Sequence, residues 1–162
     1  MQRIEIERFS VISSRPFETV VAAIEAAVSH PDMAIAPKSW AAAKDWPEAE
    51  AAIRKAIGNA DFMEFARFDL GAVLRRESGR DAPRILRLVI GNPLIMKEMV
   101  KHVPDAGSYA PVTILIDERA DGVHLSWDRM ASFLAPYGSE AALQVARELD
   151  AKVEDLLTRA AA

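Results

Sequence analysis

VTILIDERADGVHLSWD, residues 112–128, holds two alternating apolar runs joined by Arg119-Ala120-Asp121-Gly122. Alternation at a period of two marks a strand with one buried face. Asp121-Gly122 at the junction supplies the positive φ of a tight hairpin, so the two strands lie antiparallel. A terminal hairpin argues against an all-parallel, doubly wound sheet. The chain before the hairpin must supply the remaining strands, and helices on either side of it must cover them.

Upstream, Leu86, Leu88 and Ile90 alternate in a strand over residues 85–90 that ends at Gly91-Asn92-Pro93. Asn before Pro, at the head of an apolar helical pattern over 93–102, reads as an N-cap with proline preset in the first position. A pure cap at Asn92 should be replaceable by Asp. Residues 62–68 form another strand, and Asp69 caps the short helix LGAVLRRES. At the N-terminus Ile4, Ile6, Phe9 and Val11 alternate with a slip near Glu7-Arg8, which reads as a bulged strand. Phe17, Val20, Val21, Ile24 and Val28 predict a helix over 16–29 with one apolar stripe. Pro31, Pro37 and Pro47 then interrupt the chain around a helix, EAEAAIRKAI. Ser139 caps the last helix, whose buried stripe is Leu143, Ala146, Leu149, Val153 and Leu156. The expectation is an α+β single domain over 1–162. Its mostly antiparallel five-stranded sheet is covered on one face by two long helices, with short helices in the connections.

A chain of 162 residues buries roughly 70% of the surface it would expose unfolded. The net charge of −4 argues against a nucleic-acid partner. No apolar run reaches the roughly 18 residues of a membrane span. The charged N-terminus reads as no signal peptide, so the expected location is cytoplasmic. With no cysteine, disulfides, thiolate catalysis and Cys-ligated metals are excluded together. His30, His102 and His124 show no ligand spacing, and no phosphate loop or dinucleotide fingerprint occurs, so neither a metal nor a cofactor is expected.

Several short motifs, in this order and spacing, resemble one family. They are Gly91-Asn92-Pro93 before an apolar helix, Gly107, Tyr109-Ala110-Pro111 opening a Val-rich strand, Ala120-Asp121-Gly122, and the tail from Ala146 to Lys152. Together they resemble the domain of unknown function 302. The likeness covers residues 4–29 and 61–160, and leaves 31–60 as an insertion or divergent segment. Asp69 falls where the family places an acidic helix start. The resemblance implies a TATA-binding-protein-like α+β fold and no assigned activity. Many relatives carry Cys where this chain has Gly91 and Val112, so no thiol or metal role can operate there.

The candidate ligand-binding residues are Asp128, Met130, Phe133, Tyr137, Asn92 and His124. The connection from Asp128 to Tyr137 places Met130, Phe133 and Leu134 between a strand end and a long helix, where α+β domains leave a crevice. Asn92 presents an amide at a strand end, although capping accounts for every feature of its motif. His124 shares a strand face with Ser126 and Asp128, but four residues of strand separate His124 from Asp128 by roughly 13 Å. Ser126, His124 and Asp128 lack a nucleophile elbow or an oxyanion loop, so no triad is read from them. The open sheet face should carry Ile85, Arg87, Val89, Thr113, Leu115, His124 and Ser126, with Phe65 and Arg67 joining them. Such a mixture fits an anionic amphipathic ligand or a homodimer interface, and the homodimer is favoured. Met33, Trp40 and Trp46 read as loop anchors or as a lid over an apolar pocket.

The expected function is therefore a non-catalytic homodimeric module that binds a small apolar or amphipathic ligand or a protein partner. The alternative is an enzyme with an acid–base site around His124, Asp128 and Tyr137.

Overall fold

A computed structural model describes residues 3–81 and 83–162. In chain order the elements are β1 (Arg8–Ser13), α1 (Phe17–Ala27), α2 (Ala36–Ala41), α3 (Trp46–Lys55), β2 (Met63–Asp69), α4 (Leu70–Ser78), β3 (Ile85–Gly91), α5 (Pro93–Val100), β4 (Val112–Arg119), β5 (Gly122–Asp128), α6 (Met130–Leu134) and α7 (Glu140–Ala161). Short 3-10 turns at Pro104–Ser108 and Ala135–Tyr137 fill two connections.

The five strands form one antiparallel sheet in the order β1-β5-β4-β3-β2. The hairpin closes with Arg119 opposite Gly122, so Ala120 and Asp121 make the turn, and the positive φ, 138°, falls on Gly122 as it opens β5 and not at the turn's centre. Leu86, Leu88, Ile90, Val112, Ile114, Ile116, Val123, Leu125 and Trp127 alternate onto one buried face. Against it lie Phe17, Val20, Val21 and Ile24 of α1 and Ala146, Leu149, Val153 and Leu157 of α7. The α+β architecture, with α1 and α7 on one face, is the one read from the sequence. Leu143 is only half buried, whereas Ala142, Asp150 and Ala160 are buried. The stripe is wider than expected because α7 meets α1, α5 and α6 as well as the sheet.

Three local expectations change. The slip at Glu7-Arg8 is where β1 begins, not a bulge. Arg8 already sits opposite Asp128, the last residue of β5, so residues before it have no strand to pair with. The bulge lies instead in β2, between Glu64 and Ala66. It shifts the alternation by one residue, placing Arg67 opposite core-facing Leu88 and Phe68 opposite Arg87. Arg67 thus joins Glu25 and Glu64 on the helix side, and Phe68 takes the open face. Finally, α3 starts at Trp46, because the Asp45 carboxylate accepts the Glu48 N–H at 3.0 Å and Pro47 is tolerated in a first turn.

The connection after β5 is helical. Buried Asp150 reaches across from α7, its carboxylate accepting the Met130 N–H at 2.7 Å and the Ala131 N–H at 3.1 Å. Burial pushes its pKa up to about 6 despite these bonds.

Candidate functional site

Gly91-Asn92-Pro93 is the corner at which β3 passes into α5. The buried Asn92 amide works at both ends: Oδ1 accepts the Leu94 N–H at 2.9 Å, and Nδ2 donates to the Asp61 carbonyl at 3.0 Å. The first bond is the expected cap; the second ties the loop before β2 to the corner. A Cβ at Gly91 would come 3.0 Å from Pro111 Cβ and 3.3 Å from Phe65 Cε2. Glycine therefore lets the Ala110–Pro111 segment lie close against the strand end.

Beside this corner opens a cavity of ≈ 590 Å³. That volume falls within the roughly 300–1,000 Å³ of small-molecule pockets. Met33 and Trp40 come from the segment after α1, Phe65 from the β2 bulge, Met96 and Met99 from α5, and Leu149 from α7. Asn92 and Trp40 carry the only side-chain nitrogens and oxygens among the lining residues, and none of the lining residues is titratable. Trp46, grouped with Met33 and Trp40 in the sequence, does not line it. That residue sits at the start of α3, with Lys97 Nζ 5.3 Å from its ring centre.

A second hollow of ≈ 510 Å³ lies on the open sheet face near the end of β5. Asp128, Met130 and Phe133, all named from the sequence, line it together with Tyr109, Arg8 and Arg87. Phe133 stacks on Tyr109 with centroids 4.7 Å apart. Tyr137 stands behind that pair, its hydroxyl 2.8 Å from the Tyr109 hydroxyl. This hydrogen bond, more than burial, pushes the Tyr137 pKa up to about 12.

The six candidate residues thus divide among three places. Asn92 belongs to the corner cavity, while Asp128, Met130 and Phe133 share the sheet hollow, with Tyr137 beside it. His124 joins neither, and its Nε2 lies 2.8 Å from Asp121 Oδ1 at the hairpin turn. Asp128 is held by Arg8, Nε to Oδ1 at 2.7 Å and Nη2 to Oδ2 at 2.9 Å. His124, Asp128 and Tyr137 therefore engage three different partners and not one another. Among the described residues no group of three or more His, Asp or Glu side chains is placed to hold a metal ion.

A family model described as Domain of unknown function DUF302 matches residues 38–160. The chain belongs to the DUF302 family. The match takes in residues 38–60, so α3 and most of α2 fall inside the matched stretch. The fold is similar to that in the crystal structure of an uncharacterized conserved DUF302 protein from Bacillus stearothermophilus, with a TM-score of 0.65 and 10% identity over 94% of this chain and 97% of that one. No curated protein matches the chain. No described helix is long and apolar enough to cross a membrane.

Proposed function

We propose that this chain is a non-catalytic binding module whose ligand, a small and largely apolar molecule, occupies the corner cavity. The observation behind this reading is the chemistry of the walls. Methionine, phenylalanine and proline supply contact area and fix no hydrogen bonds, and the Trp40 indole N–H is a single donor with no acceptor beside it in the side chains of the lining other than Asn92. The one amide in the lining is already engaged at both ends. A polar ligand atom buried there without a partner would lose about 1–3 kcal/mol, so the cavity selects against polar ligands. The absence of any titratable lining side chain, and the separate partners of His124, Asp128 and Tyr137, weigh against acid–base catalysis.

The neutral fluorophore N-phenyl-1-naphthylamine tests this. Its emission should rise and shift to the blue with the wild-type protein and with Met96→Leu. It should stay as in water with Met96→Lys, which puts a charge into the wall, and fall with Trp40→Ala. Near-UV circular dichroism checks that each variant is folded. Undiminished emission with folded Met96→Lys overturns the reading.

A further inference from the structure

We propose that the hollow on the open sheet face is a second binding site, made for a monoanion with a planar aromatic body. Its carboxylate pairs with Arg87, and its ring lies along Leu115 toward the Tyr109–Phe133 stack. The charge pattern points to an anion. Arg8, Arg87 and Asp128 are the charged residues of the lining, and both Asp128 oxygens are taken by Arg8. One positive charge is left over, on Arg87. In a chain of net charge −4, most other arginines pair with carboxylates, but Arg87 has no such partner among the described residues. The Arg87 guanidinium leans on the Thr113 hydroxyl at 3.3 Å and lies 5.9 Å from the Phe68 ring centre.

Sheet register supplies the rest. Arg87 sits opposite Leu115, and Leu115 opposite Ser126, so the three form one row across β3, β4 and β5. Strand spacing puts Arg87 and Ser126 roughly 10 Å apart, room for a bicyclic ring lying on Leu115. Ser126 is 9% exposed, and its hydroxyl makes no side-chain hydrogen bond among the described residues. At one side the Tyr109–Phe133 stack offers an aromatic wall. The planar fork of arginine matches a carboxylate bidentately, and a single excess charge suits a monoanion better than a phosphate dianion. The competing occupant is a second copy of the chain, as the sequence-based homodimer would require. Two-fold pairing on this face would bury the unpaired Arg87 charge from both sides, which favours the small anion.

The matched pair 1-naphthoate and 1-naphthalenemethanol tests the site in the full chain. Naphthoate should shift the Arg87 Nε–Hε resonance, and the alcohol should not. Arg87→Gln should weaken naphthoate at least about tenfold, as expected for losing a charge-assisted pair. Rising salt should weaken it too, and Ser126→Ala should do so less than Arg87→Gln. Met96→Lys, in the corner cavity, should leave naphthoate binding unchanged, so this site and the corner site fail separately. Equal naphthoate affinity in wild type and Arg87→Gln overturns the proposal. A dimeric mass in light scattering that Arg87→Gln halves, without affecting naphthoate, assigns the face to a second copy and overturns it as well.

Discussion

Asn92 uses both halves of its amide, and that limits what can replace it. Aspartate keeps the oxygen that accepts the Leu94 N–H, but it sets a second oxygen against the Asp61 carbonyl where Nδ2 now donates. The cap was legible from Asn-Pro in the sequence. The bond to Asp61 was not, because it joins residues 31 positions apart. Asn92→Asp and Asn92→Ala should therefore both lose more than about 1 kcal/mol in urea melts, since each leaves a buried group unpaired. An Asp variant as stable as wild type would show that the second bond contributes nothing. Gly91 gives a second expectation at this scale. A methyl group there must displace Phe65 or Pro111 by a few tenths of an ångström, so Gly91→Ala should cost about 1–3 kcal/mol in the same melts.

Asp150 links two elements, and its linkage to pH has a definite sign. Burial raises its folded pKa to about 6 from an ordinary 3.8, so the native state holds this proton more tightly than the unfolded chain. The stability it contributes is complete below the ordinary value and is lost as pH rises through about 6. Each pH unit across that window is worth about 1.4 kcal/mol. Asn at this position keeps one acceptor oxygen and does not titrate. The stability of wild type relative to Asp150→Asn should therefore grow between pH 7 and pH 5; a gap that shrinks would reverse the assignment. Phe133 of α6 is partly buried with one face on Tyr109, so Phe133→Ala should cost less than the 3–5 kcal/mol or so of a fully buried ring and leave near-UV circular dichroism intact. At the element scale the sequence was informative wherever one face is buried: the hairpin, β3 and α7 follow from apolar spacing. It misled at β2, because one bulged residue exchanges the faces that Arg67 and Phe68 would otherwise take, with no change in composition. It also missed α6, whose five residues are too few for a periodic signal and whose N-terminus is held by a side chain 20 positions away.

Across the whole molecule, Asp128, Met130 and Phe133 of the crevice expected at residues 128–137 line a hollow on the sheet's open face, Leu134 and Tyr137 do not, and the more apolar cavity lies at the Gly91–Pro93 corner. Sequence marked several of its walls singly, among them Met33, Trp40, Phe65 and Asn92. It could not assemble them, because they come from three segments, each 25 or more residues from the next, that meet only once β3, α5 and α7 pack. The cavity's claim to be the ligand site can be read at its own methionines. Met33, Met96 and Met99 line it, whereas Met130 lines the sheet hollow and Met63 lies in the buried part of β2. With ¹³C-methyl methionine labelling, titrated 1-naphthalenemethanol should move the Met33, Met96 and Met99 methyl resonances by ring current and leave Met63 and Met130 in place. Shifts confined to Met130, or no shift at Met33, Met96 and Met99 up to the solubility limit of the alcohol, would contradict the corner cavity as the binding site.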